Sequence, residues 1–600
     1  MNFGDRFFKL KLKATDLKIK LKRLFSASER AASSAIKDTP SRLSRIPLDL
    51  KEWTSEKQKK SLRLMLFSLL TVLFYIAARS YAFIANDAFI SFRYVANAVK
   101  GWGYTFNPPP FEPVGGYTSF LWLRILRFFW AFGIKPPLSA HFLTFAFSME
   151  QIWLCFLFLK RASFPRKVQD KSLFLFLFIC LFLLMNRTFL AFMTSGTEAA
   201  LFNFLVLLWV YAITSQNDRP YLLTFSVCLL TLCRPEGFLF LPASAWFLFS
   251  FMSRGFSKTK GYILLFLLLL TGRYFTVLKE NYDSVIPHFL YAFYYKLFPS
   301  SGWEYLLSFI LEYALYFWVI VFLFWLRFKL VVREQKSFPY LLPLGITLLL
   351  YIAFLLIITG GDSLEYKTLS VFIPLALISG VIMIAQMTSK RVSALFTILC
   401  LFGFFGTSIP LTHRIMTKDL NTRAQTTFLY TPITGKARWF SLFTSSWNKT
   451  QKQIIYQGVG LRHQEHKVLT EELLKTFPAR KDGELIPLNA HRLFIWDFVG
   501  VAGWTLPNVY IIDLSGQNNK VVARSGFKSP NRRLLGHDRK TPDLYLQCFG
   551  GSNIHISPFA GKKNLSLSKN NSLDDKKIYA CESIWNSQEK PSKKSQKTLY

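Results

Sequence analysis

The chain has 600 residues, 73 Lys+Arg against 35 Asp+Glu and a formal net charge of +38, yet it is 51% hydrophobic and 17% aromatic, with 62 Phe. A polybasic disordered nucleic-acid tail is poor in aromatics, and a soluble enzyme does not reach a mean hydropathy of +0.26, so the composition argues against both classes. The apolar residues arrive in blocks of roughly 15 to 25, the length a bilayer-spanning helix requires, and a polytopic α-helical membrane protein is expected, with no nucleic-acid partner.

Residues 1–63 carry 17 Lys/Arg and 7 Asp/Glu, and their apolar runs never form the uninterrupted core of a signal peptide. Phe7, Phe8, Leu10, Leu12, Leu17, Ile19, Leu21, Leu24 and Phe25 are set among lysines, as in a basic amphipathic helix. Such a segment either rests on anionic lipid or remains a solvated cytoplasmic arm that sets orientation. Hydropathy then predicts spans at 64–83, 138–159, 171–190, 198–214, 221–233, 236–252, 261–279, 305–328, 338–358, 368–387 and 392–410. The segment 119–134 is apolar but short, carries Arg124 and Arg127, and ends at Gly133 before Pro136-Pro137. Placing it on the outer face puts every short basic loop, beginning with Lys160 to Lys171, on the same side as the N-terminus. The expectation is thus about 11 transmembrane helices in a cell (inner) membrane, with a cytoplasmic N-terminus. The membrane domain covers 64–411 and includes an external loop at 84–137. From residue 412 the apolar runs stop, and 412–560 reads as a soluble α/β domain on the external side, with 464–477 helix-like and 491–496 and 509–513 strand-like. Residues 561–600, with nine Lys, read as a flexible tail. Cys155, Cys180, Cys228, Cys233 and Cys400 lie in or beside spans and are expected to pack there. Cys548 and Cys581 fall in the external part, where an oxidising compartment permits a disulfide.

This topology collects the unexplained polar residues on the outer face: Asn86-Asp87, Ser195-Gly-Thr-Glu198, Arg234-Pro-Glu-Gly237, the loop 280–304, and Gly360-Gly-Asp362 through Lys367. One ionisable group at a span end is ordinary interfacial anchoring. Five clusters converging on one face imply a cavity with acids to handle protons and cations to hold an anion. His463 and His466, or Asp87 with Asp362, lack the partners of a zinc site, and a solvated helix face accounts for the His pair. A divalent cation is compatible with these residues but not indicated, and no cofactor is required.

Asn86-Asp-Ala-Phe-Ile-Ser-Phe-Arg-Tyr94, which includes Arg93, resembles the first external loop of GT-C membrane glycosyltransferases, as do Gly101-Trp-Gly-Tyr-Thr-Phe-Asn-Pro108 and Gly116-Tyr117-Thr-Ser-Phe-Leu-Trp122. Within that superfamily the sequence is most similar to the mycobacterial terminal β-(1→2)-arabinofuranosyltransferases and their bacterial relatives. Ser195-Gly-Thr-Glu198 resembles an S-G-L-E-T element and Cys233-Arg-Pro-Glu-Gly237 a T-R-P-E-G element. Tyr282-Asp-Ser-Val-Ile-Pro-His288 resembles a Y-G-x-x-x-P-N segment, and Gly360-Gly-Asp362 with Lys367 and Pro374 a G-G-D…R…P segment. Ala502-Gly-Trp504, Ile511-Ile-Asp-Leu514, Ala523-Arg524 and Gly536-His537 resemble the later G-Y…V-D-x-x-G-L…A-R…G-H pattern. The resemblance runs from about residue 64 to about 550 and rests on the joint order of short motifs. It departs at Asn86, where the family often has an acid, at Glu112, which is displaced from its turn, and at Phe293, where the family has Lys while Lys296 follows.

The resemblance implies transfer of a sugar from a polyprenyl-phosphate donor to a glycan or lipid acceptor on the external face of the bilayer. In that chemistry a carboxylate takes the acceptor proton. Asp87 is the candidate base, and capping of the helix that begins at Ala88 is its alternative role, unless Asn86 caps it instead. Arg234, His288, Lys296 and Lys367 are the candidate cations for the leaving phosphate. Tyr282, Glu198 and Asp362 complete the candidate donor site, the two acids either orienting sugar hydroxyls or tuning Asp87. Arg524 and His537 are candidates for acceptor binding, the alternative being a purely structural cap. Transfer of a hexose or aminoarabinose is the alternative reaction. A secondary transporter is the non-enzymatic one, and it predicts two internally related halves that the sequence does not show.

Overall fold

Backbone groups in an apolar environment must be satisfied within their own segment, so each apolar block folds as a helix. The computed structural model describes residues 48–169, 171–214, 219–252, 258–282, 288, 297–332, 338–388, 392–417, 438–526, 537, 539–549 and 574–588. The expected amphipathic pattern of residues 7–25 and the candidate Lys296 lie outside them. The chain divides into two compact units, residues 1–73 and 74–600. The described part of the first is helical and belongs to α1, Leu48–Arg79.

The second unit continues with α2 (Asn86–Val99), α3 (Phe120–Ala131), α4 (Leu138–Arg161), α5 (Ser172–Met185) and α6 (Arg187–Phe192). Next come α7 (Ala199–Ile213), α8 (Pro220–Cys233), α9 (Leu241–Met252), α10 (Lys258–Tyr282), α11 (Pro299–Glu312) and α12 (Leu315–Val332). The helices α13 (Phe338–Phe354), α14 (Phe372–Met387) and α15 (Val392–Thr417) complete the apolar set. Among the described residues three helices are long and apolar enough to cross a membrane, with a bent pair as a fourth.

Three of the eleven expected spans are interrupted for local reasons. The expected span 171–190 breaks at Asn186, whose side-chain oxygen accepts from the Phe189 amide at 2.9 Å and starts α6 as its cap. The expected span 305–328 is two helices, α11 and α12, bent by 73° where Ala314 adopts a φ of 49°. The expected span 236–252 opens as a 3-10 turn, Pro235–Phe240, because Pro235 cannot continue the hydrogen bonding of α8. Hydropathy averages over such breaks and cannot see them. The segment 119–134 forms α3, a 12-residue helix with Ser119 accepting from the Trp122 amide.

The expected domain boundary at 412 falls inside α15. Beyond it lie α16 (Arg438–Gln457) and α17 (His463–Thr476), then β1 (Leu493–Trp496), α18 (Val499–Thr505) and β2 (Tyr510–Asp513). The two strands pair in parallel, Leu493 with Tyr510 through Trp496 with Asp513, and both are buried along their length. Continuous apolar runs joined by a crossover helix suit such pairing.

This α/β portion is built together with the loop after α1. The Arg93 guanidinium, 1% exposed, donates to the carbonyls of Phe106 at 2.6 Å, Gly503 at 2.8 Å, Leu506 at 3.1 Å and Val509 at 2.8 Å. α18 packs so closely on α2 that a Cβ at Gly500 would sit 1.9 Å from the Asn86 carbonyl oxygen. Asn86 does not cap its helix, as one expectation had it. The N-cap is Ala85, and the Asn86 side-chain oxygen accepts from the Val501 amide at 3.0 Å.

Two further expectations are corrected. Within the supposed flexible tail, Asp575–Gln588 is a helix whose Ile578 and Cys581 are fully buried beside Phe111, Tyr510, Ile512 and Tyr545. Cys581 is joined to Cys548 by a disulfide, so one cross-link and one apolar face anchor a Lys-rich segment. His463 is not on a solvated face but 3% exposed, its ring 4.9 Å from that of Tyr81. Cys155, Cys180, Cys228 and Cys233 are buried as expected, whereas Cys400 is exposed.

Candidate functional site

The start of α2 docks on the Ser195–Glu198 turn. The Ala85 amide donates to the Ser195 carbonyl at 3.0 Å, and Phe83, Ala85, Ala191, Phe192, Ala199 and Leu364 form one buried apolar cluster beneath. Asp87 stands in the first turn of α2 and is exposed, unlike its buried neighbours Asn86 and Ala88.

Glu198, the residue before α7, gathers the cations. Lys367 Nζ lies 2.8 Å from its Oε1, and Arg234 Nε lies 3.8 Å from the same atom. Arg234, extended between α8 and the 3-10 turn, also donates from Nη2 to Glu236 Oε1 at 3.1 Å and stacks 5.3 Å from the Phe202 ring centre. The side chains of Glu198, Arg234 and Glu236 are each 9% exposed or less, and that of Lys367 is 15% exposed. Two cations and two carboxylates thus share a poorly screened space, where charge acts more strongly than in water.

Asp362 is engaged in its own loop. It accepts from the Lys367 amide at 3.3 Å, the Thr368 amide at 2.7 Å, the Thr368 hydroxyl at 2.5 Å and the Tyr305 hydroxyl at 2.6 Å. Those bonds shape the turn that presents Lys367. Tyr282 donates to the Tyr104 carbonyl, and its ring meets Tyr117 edge-on at 6.2 Å. Tyr117 in turn meets Tyr94 at 5.3 Å, so these tyrosines form a continuous aromatic array beside α3. The Tyr94 hydroxyl accepts from the Gly116 amide at 2.9 Å and lies 2.8 Å from the Val114 carbonyl and 2.9 Å from Asn518 Oδ1.

The other sequence candidates sit elsewhere. His288 is 7% exposed, with Nε2 3.3 Å from the Gly516 carbonyl, and burial pushes its imidazole down to about 4. Arg524 is exposed at the end of the short helix Lys520–Ala523, and the His537 ring packs 4.7 Å from Phe498. Arg93 and Tyr94 act as clamps between the loop and the α/β portion. Among the described residues no group of three or more His, Cys, Asp or Glu is placed to hold a metal ion.

Sequence reasoning missed a second buried charge cluster, formed by Arg187, Glu312, Glu365 and Arg462. A signal for it existed, because Arg187 and Glu312 are charges inside the predicted spans 171–190 and 305–328.

No known family matches the sequence, and no curated protein matches it. Among solved structures, that of ArnT from Cupriavidus metallidurans bound to undecaprenyl phosphate is similar in fold, with 9% identity and a TM-score of 0.46 over 75% of this chain and 85% of that one.

Proposed function

We propose that this chain is a GT-C membrane glycosyltransferase that moves a sugar from a polyprenyl-phosphate donor to an acceptor hydroxyl on the external face of a cell membrane. The observation that carries the reading is the placing of Lys367 and Arg234 on one buried carboxylate, Glu198, in the turn against which the helix of Asp87 starts. The ordered motifs shared with the arabinofuranosyltransferases favour arabinofuranose as the sugar and a cell-envelope glycan or lipid as acceptor. A hexose or aminoarabinose is the alternative.

In the proposed reaction the acceptor oxygen bonds to the sugar C1 as the bond from C1 to the phosphate oxygen breaks. Asp87, exposed at the start of its helix, takes the acceptor proton. The electron pair of the broken bond goes to the lipid phosphate, whose growing charge Lys367 and Arg234 are placed to stabilise. Glu198 holds the two cations together in the absence of donor and limits the cost of burying them.

The test is the full-length protein in lipid nanodiscs with a panel of radiolabelled polyprenyl-phosphate sugars. Transfer from one donor is expected, and Asp87→Asn should slow it by about 10²- to 10⁴-fold. Equal transfer by Asp87→Asn would remove Asp87 as the base. No transfer from any donor would remove the reading.

A further inference from the structure

A buried charge in apolar surroundings is costly unless it is paired and fully hydrogen-bonded. Four such charges meet outside the proposed site, with side chains 8% exposed or less: Arg187 at the start of α6, Glu312 at the end of α11, Glu365 in the loop before α14, and Arg462 just before α17. Arg187 donates from Nε to Glu365 Oε1 at 2.7 Å and from Nη2 to Glu312 Oε1. Arg462 Nη2 reaches Glu312 Oε2 at 2.7 Å and Gln451 Oε1 at 2.9 Å. Two cations and two anions therefore balance while tying together four segments distant in sequence.

Glu365 stands apart from the other three. It lies between Asp362 and Lys367, and its φ is 51°, a left-handed conformation that a residue with a Cβ adopts only when its surroundings impose it. The surroundings here do so. Its amide donates to the Leu461 carbonyl at 2.7 Å, Thr188 donates to its Oε1 at 2.7 Å, and the His463 amide donates to its Oε2 at 2.6 Å. His463 is the first residue of α17, so this carboxylate satisfies a helix N-terminus supplied by another part of the chain. On one side of Glu365 the backbone is pinned to 460–461, with the Gly460 amide donating to the Asp362 carbonyl at 2.7 Å. On the other, the Lys367 amide closes on the Leu364 carbonyl at 3.0 Å, and the Lys367 ammonium meets Glu198.

We infer that Glu365 is a positioning residue: its bonds to Arg187, Thr188 and His463 hold the left-handed turn that aims the Lys367 ammonium at Glu198. Its importance for sugar transfer rests on the function proposed above. Its effect on Lys367 does not, and this separates the two tests.

The experiment uses full-length wild type, Glu365→Gln and Glu365→Gly in nanodiscs without donor. Gln keeps the shape and removes the charge. Gly accepts the left-handed backbone without strain and removes every side-chain bond. Acetylation by acetic anhydride is followed by peptide mass spectrometry at Lys367, at the exposed Lys475, and at Lys520, which is paired with Glu112 at 3.0 Å elsewhere in the structure. Release of Lys367 from its carboxylate frees an amine that is 15% exposed and held by Glu198, and is expected to raise its acetylation several-fold relative to Lys475 in both variants, with Lys520 unchanged. A Lys367 rate that stays at the wild-type value, or rises only together with Lys520, would overturn the inference. A silent donor panel with released Lys367 would remove the proposed reaction and leave the positioning role standing.

Discussion

Lys367 Nζ sits 2.8 Å from Glu198 Oε1, joining a loop before α14 to the turn before α7. Each partner has little water to replace the other, and in the proposed reaction Lys367 would exchange Glu198 for the lipid phosphate, an anion of greater charge. Lys367→Met is expected to lower turnover about 10²-fold and to weaken inhibition by free polyprenyl phosphate. Arg234→Lys keeps a charge but loses the planar fork, and a smaller loss is expected. Steady-state kinetics with and without added polyprenyl phosphate checks both; unchanged inhibition by Lys367→Met would contradict contact with the phosphate.

Arg93 is the hinge pin between α2 and the α/β portion. Its removal takes a donor from four buried backbone carbonyls, of which Phe106 keeps Asn97 Nδ2 at 2.9 Å and Leu506 keeps the Val509 amide at 3.2 Å. Arg93→Met should destabilise by about 3 kcal/mol or more, and Arg93→Lys should recover little, because one ammonium cannot reach all four acceptors. The unfolding midpoint, together with proteolysis between residues 438 and 549, measures this.

Gly116 allows the loop and the turn after β2 to touch. A Cβ there would lie 2.3 Å from the Gln517 carbonyl oxygen and 2.5 Å from Asn518 Oδ1. Gly116→Ala is expected to cost about 1–3 kcal/mol by forcing these segments apart. A thermal scan that matches wild type would show that the turn yields freely.

The Cys548–Cys581 cross-link closes a separation of 33 residues and anchors the last described helix. Reduction should change mobility on electrophoresis, and Cys581→Ser should lower stability by about 3 kcal/mol. An unchanged mobility on reduction would show that the cross-link is not formed in the purified protein.

Stability should fall in acid through two buried imidazoles. Burial pushes His288 down to about 4 and His463 down to about 3. An unfolded imidazole titrates near pH 6.5, so below that value the unfolded chain binds protons that the folded chain refuses. The contribution is therefore complete above about pH 6.5 and is lost as the pH falls towards the folded values. The unfolding temperature is expected to be lower near pH 5 than near pH 7.5, with a smaller difference in His463→Asn.

The charged residues of the candidate site were legible in the sequence as charges, and the structure brings three of them, Glu198, Arg234 and Lys367, into contact. Asp87, Glu198, Arg234 and Lys367 were all marked by ionisable groups beside apolar blocks, and that rule depends only on the cost of burying charge. The roles of their companions were not legible. Arg93, Tyr94 and Asn86 belong to the same motif as Asp87, yet their side chains are spent on holding residues 500–518, hundreds of positions later. Asp362 was read as a ligand for substrate, whereas its oxygens accept bonds from its own turn.

Sequence alone determined the mostly helical, apolar character of the protein, the two buried strands, and the places where charge interrupts hydrophobic runs. Those properties are local, and period and composition express them within a window of about 20 residues. Tertiary structure alone decided that the span around 313 bends, that Cys581 anchors a helix within a Lys-rich segment, and that Glu365 joins α6 to the start of α17. Each of these depends on a hydrogen bond, a cross-link or a packing contact between segments far apart in the chain, and such pairings leave no periodic trace in either segment by itself.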